Sequence, residues 1–287
     1  MVHALSPTAQ FGLNVFEGVR AYWNAADGQL YALRLDDHLQ RLQDSCKLIG
    51  FICPYSPDEI KGFTRAIVEA NGYRSDCALR ITVFGDDEGT WSGAPRTAMF
   101  IAPVARDRTD LGRLTGRTAC ISSWQRINDA TMPPRIKVGA NYINGRYAHL
   151  QAQHDGYDLP LFLGSDRHLA EGAGACLFMV RKGVLATPRL TDSILESITR
   201  DTVIALARDI GMTVEERPID RTELYLADEA FLCGTAAEIT PLVQIDRFKI
   251  GSGAPGDLTI ALLQRYHAVA DGRDEAYAAW REGLLAG

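Results

Sequence analysis

The amino-acid sequence predicts an α+β protein with two domains. Helical and strand patterns occur together in the first third of the chain, short strand patterns dominate the rest, and a polar stretch separates the two regions. A chain of 287 residues is also long enough to bury two independent cores. We therefore expect a small α+β domain over residues 1–104, an interdomain loop over 105–114 and a larger, strand-rich domain over 115–287.

In the small domain, two predicted helices precede two predicted strands. Asp36 to Gly50 has apolar residues at helical spacing and ends in glycine, which commonly follows the last turn of a helix. Pro57 to Ala70 has a similar pattern. Ala78 to Phe84 and Thr97 to Val104 are short, apolar and rich in β-forming residues, which predicts strands. Arg106 to Arg117 is polar and contains glycine, as expected of a connection between domains.

The larger domain is predicted to consist mostly of strands. Lys182 and Gly183 form a turn sequence between two of them. Two helices are expected, Thr199 to Ile210, which Gly211 ends, and Asp257 to Ala270. The predicted strands are Leu159 to Gly164, Ala175 to Val180, Val184 to Thr187, Met212 to Ile219, Glu229 to Cys233 and Leu242 to Ile250.

Composition and charge narrow the classes of function. With 46% hydrophobic and 23% charged residues, the chain has the composition of a soluble globular protein. A formal net charge of -6 argues against a surface that binds nucleic acid. The six cysteines form no C-x-x-C pair, and no stretch approaches the roughly 18 apolar residues of a membrane span. We therefore expect reduced thiols and a cytoplasmic location.

Several common active-site motifs are absent from the sequence. There is no G-x-x-x-x-G-K-[ST] phosphate loop and no G-x-S-x-G motif of serine hydrolases. Gly172-Ala173-Gly174 lacks the third glycine of a dinucleotide-binding motif. The six histidines never have the spacing of metal ligands, so we expect no metal site.

Lys137 is the first candidate for chemistry. It is one of only five lysines and lies in the segment R-I-K-V-G-A-N-Y, from Arg135 to Tyr142. The apolar neighbours would disfavour a charged ammonium, as a lysine that forms a Schiff base requires. On the residue pattern alone, a structural role for Lys137 remains the simpler interpretation.

Three further segments offer groups for a charged cofactor. Glu171 lies in E-G-A-G between two apolar strands, where the protonated ring nitrogen of pyridoxal phosphate (PLP) would be a suitable partner. Ser197-Ile198-Thr199 opens a helix whose N–H groups could bind a phosphate. Gly234 to Ala237 is a second small-residue loop able to approach an anion. A turn residue and a helix cap are the alternative interpretations of the first two.

Six segments together resemble the branched-chain aminotransferase family, the class IV or fold-type IV PLP enzymes. Each is weak evidence alone, but six in family order over nearly the whole chain are specific. They are V-F-E-G-V-R-A-Y (Val15 to Tyr22), H-L-Q-R-L (His38 to Leu42), K-V-G-A-N-Y (Lys137 to Tyr142), E-G-A-G (Glu171 to Gly174), L-E-S-I-T-R (Leu195 to Arg200) and A-D-E-A-F-L-C-G-T-A-A-E-I-T-P (Ala227 to Pro241). The resemblance implies a two-domain fold similar to D-amino-acid aminotransferase, with a barrel-like larger domain, and a homodimer or higher homo-oligomer.

The resemblance also implies roles for individual residues. Lys137 looks like the lysine that holds PLP as a Schiff base and moves a proton between the substrate Cα and the cofactor C4′. Glu171 looks like the carboxylate on the ring nitrogen, and Tyr142 like the phenol near O3′. The residues implied to hold the phosphate are Arg41, Ile198, Thr199 and Thr235. The residues implied to contact substrate are Phe16, Gly18, Arg80, Arg106 and Ala236.

The activity implied by the resemblance is transfer of an amino group from an L-amino acid to 2-oxoglutarate by a ping-pong mechanism. A PLP lyase of the aminodeoxychorismate lyase kind is the main alternative, and a non-catalytic binding protein with this fold is a further one. The T-A-A-E-I-T-P segment, which is typical of the transaminases, argues against the lyase. Intact Lys137, Glu171 and Arg41 argue against the binding protein.

The sequence departs from the family pattern at several positions. A strand and hairpin that are common in the family before the position of Val2 have no counterpart here. Cys176 and Ser197 replace a usual asparagine and glycine. Phe11 replaces the tyrosine of the usual H-Y-G, and Ala78 stands where an aromatic residue is often found. With Val104, these last two replacements thin the aromatic wall around Arg80, which favours a donor whose side chain is polar or carries a carboxylate. Arg106 and Arg108 are expected to pair with a second acidic group.

Overall fold

Helices and strands are mixed along the whole chain, which confirms the α+β class. The computed structural model describes residues 2–286. These residues form two units, and each unit combines separate stretches of sequence. The first unit contains residues 2–108, 136–140 and 267–286, and the second contains 109–135 and 141–266.

This division differs from the predicted ranges in two places. Residues 136–140 and 267–286, which were expected in the larger domain, belong to the first unit. Val138 and Leu284 are buried in the core of that unit. A C-terminal strand, Arg281–Gly283, also pairs with its sheet. Contacts between residues far apart in sequence therefore decide where these two segments pack.

The first unit is a five-stranded antiparallel sheet with two helices packed against it. The elements of this unit before the loop are α1 Pro7–Phe11, β1 Asn14–Asn24, β2 Gln29–Leu33, α2 Leu35–Leu48, α3 Pro57–Ala70, β3 Cys77–Gly85 and β4 Thr97–Ala105. The strand order across the sheet is C-terminal strand, β2, β1, β3 and β4, so the C-terminal strand and β4 are its edges.

The sheet of the first unit has two different faces because successive side chains of a strand alternate. Val15 and Val19 of β1 are fully buried with Leu39 of α2 in the core. Phe16 and Gly18 alternate with them and are only partly buried. The face opposite the helices therefore carries two of the predicted substrate residues.

The second unit contains nine strands and most of the remaining helical residues. It begins after residue 108 and ends at Tyr266, inside the helix α7 Asp257–Ala270. Its elements are β5 Arg117–Gln125, α4 Tyr142–His154, β6 Leu159–Leu163, β7 Leu169–Gly172, β8 Cys176–Arg181, β9 Val184–Thr187, α5 Ile198–Asp209, β10 Thr213–Glu216, α6 Arg221–Leu224, β11 Glu229–Gly234, β12 Glu238–Ile245, β13 Phe248–Lys249 and α7 Asp257–Ala270.

Six strands of the second unit close into a barrel. The order β8, β11, β12, β5, β6, β7 ends with β7 pairing back to β8, which confirms the barrel-like prediction. Leu161, Leu177 and Leu232 are among the apolar residues that fill its core. The closing pair is Glu171 opposite Cys176, so the barrel seam passes through a predicted cofactor residue.

Most predicted elements are present, but one strand was wrong in its limits. The predicted strand from Leu242 to Ile250 is interrupted at Asp246 and Arg247, where positive φ angles of 48° and 69° turn the chain. β12 instead begins at Glu238. Within residues 2–286, no helix is both long enough and apolar enough to cross a membrane.

Candidate active site

Lys137 is held by the sheet of the first unit. The Phe16 N–H donates to the Lys137 carbonyl over 3.0 Å, and Val15 forms a β-bridge with Val138. The Lys137 N–H donates to Ser45 Oγ on α2 over 3.2 Å. The Lys137 Nζ lies 5.2 Å from the centre of the Phe16 ring. Backbone contacts on both sides therefore fix the point from which this side chain extends.

A close approach explains the glycine in the K-V-G segment. A Cβ placed on Gly139 would lie 2.8 Å from the Asn14 Nδ2, closer than real Cβ atoms come to a neighbour. Only glycine lets the segment that carries Lys137 run this close to β1 without displacing Asn14.

Glu17, which was not predicted to be a site residue, is a fully buried carboxylate on the helix face of β1. Arg41 donates to both carboxylate oxygens, from Nε to Oε1 over 2.7 Å and from Nη2 to Oε2 over 2.8 Å. The His38 Nδ1 lies 2.7 Å from Oε2. His38 and Arg41 are three positions apart on α2 and so project from one side of the helix. The signal in the sequence was a charged residue at a core position of an apolar strand.

Burial and ion pairing act in opposite directions on this cluster. Burial raises the pKa of Glu17, but the charge and hydrogen bonds of Arg41 and His38 outweigh it and lower the pKa to about 2. Burial lowers the pKa of His38, although Glu17 opposes this effect. Arg41, which the resemblance assigns to a phosphate, therefore has two of its N–H groups engaged by Glu17.

The open face of the first sheet brings together Phe16, Gly18 and Arg80. Gly18 and Arg80 are partners on β1 and β3, and the Arg80 Cζ lies 3.9 Å from the centre of the Phe16 ring. Arg80 is exposed, and a Cβ on Gly18 would have no neighbour within 4 Å. Ala102 is the partner of Arg80 on β4, and Ala78 is two residues away on β3. The cation therefore stands beside open space among small side chains.

The two arginines that follow β4 have different surroundings. Arg108 contacts Asp76 through Nε over 2.6 Å and Asp271 through Nη1 over 2.5 Å. The expectation that Arg108 reaches towards a substrate is corrected by these internal ion pairs. Arg106 is exposed, and its carbonyl accepts a hydrogen bond from Arg20 over 3.1 Å. Its contact with substrate stays a prediction.

Glu171 is a buried carboxylate in the second unit, with an exposed fraction of 3%. The Arg126 Nη2 lies 2.6 Å from its Oε1. The other donors are more distant, because the Leu195 N–H is 3.3 Å from each oxygen and the Cys176 Sγ is 3.6 Å from Oε2. Burial and the charge of Glu171 raise the pKa of Cys176, so its thiol stays protonated and able to donate. Arg126 was not among the residues predicted from the sequence.

The helix α5 begins as the sequence predicts. Ser197 is its N-cap, and the Ser197 Oγ accepts a hydrogen bond from the Arg200 N–H over 3.2 Å. The amides of Ile198 and Thr199 lie in the first turn and have no acceptor within the helix. They have none elsewhere in residues 2–286 either, although Thr199 is buried. A buried amide without a partner is costly, so these groups favour an external oxygen ligand.

Close glycine contacts bring the E-G-A-G loop against two other elements of the second unit. A Cβ on Gly145 of α4 would lie 2.8 Å from the Ala173 carbonyl oxygen, and one on Gly234 would lie 3.3 Å from the Gly174 carbonyl oxygen. A Cβ on Gly174 would be 3.8 Å from the Tyr142 ring. Tyr142 and the E-G-A-G loop are therefore neighbours.

The predicted residues Thr235 and Ala236 lie in the turn between β11 and β12. This turn ends at Glu238, a fully buried residue with a positive φ of 51°. The Thr109 N–H donates to the Glu238 Oε2 over 2.7 Å. A buried carboxylate thus anchors the end of the turn.

The groups of the second unit match a particular kind of ligand. First-turn amides without acceptors suit a phosphate. A buried carboxylate whose second oxygen has only long contacts suits a protonated ring nitrogen. A phenol next to the glycine loop suits a ring hydroxyl. Together these groups fit an anionic, nitrogen-containing aromatic cofactor.

Comparison with known protein families gives a match over most of the chain. The family model described as amino-transferase class IV matches residues 14–245. A probable branched-chain-amino-acid aminotransferase of Aquifex aeolicus (strain VF5) is 37% identical over 281 residues, which cover 97% of this chain and 90% of the relative.

Solved structures are similar over almost the whole chain. The branched-chain amino acid aminotransferase from Thermobaculum terrenum, in its PLP form, is 46% identical with a TM-score of 0.93, covering 99% of this chain and 93% of that one. A second branched-chain amino acid aminotransferase, complexed with N-(5'-phosphopyridoxyl)-L-glutamate, is 33% identical with a TM-score of 0.91 and the same coverage, 99% and 93%.

Proposed function

The chain belongs to the class IV aminotransferases and, within them, to the branched-chain aminotransferase family, and from this premise we propose that it transfers the amino group of an L-amino acid to 2-oxoglutarate, with PLP held as a Schiff base on Lys137. The observation that carries the proposal is the fixed position of Lys137 on the sheet of the first unit. A lysine that forms a covalent bond to a cofactor must extend from a defined point.

The residues present fit PLP, which supplies an electron sink for negative charge at the substrate Cα when it is bound. Lys137 would hold the cofactor covalently and carry the proton that leaves the substrate Cα. Glu171 would pair with the ring nitrogen, and Tyr142 would face the ring hydroxyl. The phosphate is assigned to Arg41, Ile198, Thr199 and Thr235.

The amino acceptor and the order of steps complete the proposal. One similar branched-chain enzyme was solved with a phosphopyridoxyl derivative of L-glutamate, which supports glutamate and 2-oxoglutarate as one substrate pair. In the ping-pong mechanism that we propose, the keto acid formed from the first amino acid would depart before the second substrate binds. One active site then serves both half-reactions.

Single half-reactions test this proposal directly. Purified enzyme saturated with PLP is mixed with excess L-glutamate and no keto acid, and the absorbance of the cofactor is followed. We expect full conversion to the amine form with one 2-oxoglutarate released per subunit, and reversal when 2-oxoglutarate is added alone. A lyase would not give this stoichiometric, reversible exchange, and a non-catalytic protein would show no spectral change.

We further propose a donor whose side chain is polar or carries a carboxylate, in preference to the branched-chain amino acids. Arg80 is exposed next to the open space over Gly18. Phe11 and Val104 are exposed by 42% and 56%, so neither closes an apolar wall in the first unit. A small aliphatic side chain would leave this volume unfilled, and the lost contacts weaken binding. A carboxylate would instead pair with the arginine.

We infer a homodimer in the cytoplasm. β4 of the first unit is apolar but has no buried residue, and its Phe100 and Val104 are 44% and 56% exposed. Apolar surface of this kind favours association with a second copy. All six cysteines are free, as expected in a reducing compartment. Sedimentation velocity at nanomolar enzyme should give the dimer mass, and a fully active monomer would contradict the dimer.

A further inference from the structure

Arg126 forms the shortest contact of Glu171, the predicted cofactor carboxylate. Its Nη2 lies 2.6 Å from the Glu171 Oε1, and the two side chains are only 9% and 3% exposed. The arginine follows β5, whereas Glu171 belongs to β7. Closure of the barrel therefore brings together two residues that are 45 positions apart in the sequence.

Arg126 is the cation next to the buried Glu171 carboxylate. A carboxylate removed from water tends to take up a proton unless a cation stands next to it. The remaining contacts of Glu171 are with neutral donors, the Leu195 N–H at 3.3 Å and the Cys176 thiol at 3.6 Å. A protonated glutamic acid could not form an ion pair with a protonated ring nitrogen. Arg126 therefore supplies the opposite charge next to this buried carboxylate.

Arg126 is also held from other directions. Its N–H donates to the Leu163 carbonyl over 2.9 Å, and its Nη1 is 3.5 Å from the Asn144 Oδ1. Asn144 in turn donates to the Gln125 carbonyl over 2.9 Å. The guanidinium also lies 5.7 Å from the centre of the Phe162 ring. Because these contacts hold the arginine without Glu171, the arginine can determine the orientation of the carboxylate.

The geometry of the pair leaves one carboxylate oxygen available. Arg126 contacts Oε1, whereas Oε2 has only the longer contacts with Leu195 and Cys176. The Arg126 Nε is buried and has no hydrogen-bond partner in the described part of the chain. A buried donor without a partner is unfavourable for stability, which supports a functional reason for this arginine.

We propose that Arg126 is a positioning residue for transamination, which balances the charge of Glu171 and orients the carboxylate so that its Oε2 can accept a hydrogen bond from the protonated ring nitrogen of PLP. The inference rests on the proposed function. It adds to that function a residue which acts on the cofactor through Glu171.

A double-mutant cycle tests the proposal. The variants are Arg126→Met, Arg126→Lys, Glu171→Gln and the combination of Arg126→Met with Glu171→Gln. Two quantities are measured for each, the dissociation constant of PLP from the apoenzyme and the rate of the half-reaction with L-glutamate. We expect Arg126→Met to weaken PLP binding and slow the half-reaction by at least about tenfold each, and Arg126→Lys to do so less. In the Glu171→Gln background, Arg126→Met should change either quantity by less than about twofold.

A matched control separates this effect from the loss of any arginine–glutamate pair. Arg217 donates to both Glu223 oxygens over 2.8 and 2.9 Å in the same unit, and Arg217→Met should leave PLP binding unchanged. Wild-type values for Arg126→Met would overturn the inference, and so would an undiminished effect in the Glu171→Gln background. If Arg126→Met does not fold, Arg126→Lys, which keeps the charge but not the geometry of the guanidinium, decides the matter: wild-type values would overturn the inference, and a loss that disappears in the Glu171→Gln background would support it. Absence of PLP uptake by the wild type would overturn the proposed function instead.

Discussion

Each unit contains a buried carboxylate paired with an arginine, but the two sites differ in how completely the carboxylate is satisfied. Glu17 has three contacts between 2.7 and 2.8 Å from Arg41 and His38. Glu171 has one contact of 2.6 Å, and its other donors lie at 3.3 Å or beyond. A saturated carboxylate stabilises the fold, whereas one with a poorly satisfied oxygen can accept a ligand.

The largest loss of activity is expected on substitution of Lys137. This substitution tests whether the first unit contributes to catalysis as well as burying the Glu17 ion pair. We expect Lys137→Ala to remove measurable turnover while the folded protein still binds PLP noncovalently, because the covalent attachment point and the proton carrier are lost together. Borohydride reduction of the wild type should label Lys137 alone, as read by peptide mass spectrometry. Lys61→Ala, which removes a surface partner of Asp36, is the control. A label on another lysine would remove the central assignment.

Exchanging each glutamate for glutamine tests the comparison itself. Glu171→Gln should slow the half-reaction by at least about tenfold, since a neutral ring nitrogen is a poorer electron sink. Glu17→Gln should instead lower the free energy of unfolding by about 3 kcal/mol or more, because it leaves the largely buried Arg41 guanidinium without its counter-charge. Urea unfolding and single-turnover kinetics are measured on both variants. The comparison fails if Glu17→Gln slows the half-reaction as much as Glu171→Gln does without loss of stability.

Arg80 tests whether an exposed cation on the open face of the first unit has a different role from Arg41, whose side chain is only 11% exposed. We expect Arg80→Met to reduce kcat/KM for glutamate by about tenfold or more, since a charge-assisted hydrogen bond to its distal carboxylate is lost. The value for leucine should change by less than about threefold. A donor panel with branched-chain amino acids, aromatic amino acids, glutamate and 2-aminoadipate measures this effect. A clear wild-type preference for leucine or isoleucine would refute the donor assignment.

The smallest expected effect is the dependence of stability on pH. Glu17 has a folded-state pKa of about 2 against an ordinary 4.5, so its contribution is present above 4.5 and is lost as the pH falls towards 2. The pKa of His38 is lowered from 6.5, so its contribution is likewise lost as the pH falls below 6.5. Urea midpoints of the wild type should therefore fall between about pH 7 and pH 5. His38→Gln should flatten this upper part of the curve, and an unchanged slope would contradict the assignment.

Local signals in the sequence were sufficient for some elements and not for others. α3 was predicted with its observed ends from its helical pattern. In the structure, Ser56 and Glu59 form a capping box and Pro57 opens the helix. α4 was missed because apolar residues lie around the helix rather than along one face, and Ile143, Tyr147 and Leu150 are about half exposed.

The same distinction applies to the site. The resemblance assigned Lys137 and Glu171 through motifs that are contiguous in the sequence. Arg126 could not be paired with Glu171 in this way, because their contact depends on closure of the barrel. The pairing of Arg108 with Asp76 and Asp271 likewise depends on where residues 267–286 pack, which no local pattern indicated.

The position of the C-terminal strand has a consequence for the order in which the two units can fold during synthesis. The sheet of the first unit includes Arg281–Gly283, and Leu284 is fully buried in its core. Since a ribosome releases the chain from its N-terminus, this core stays incomplete until Leu284 has been synthesised. The second unit, whose residues end at Tyr266, has its whole sequence available earlier. The first unit, although it contains residues 2–108, can therefore complete its fold only after the second unit can.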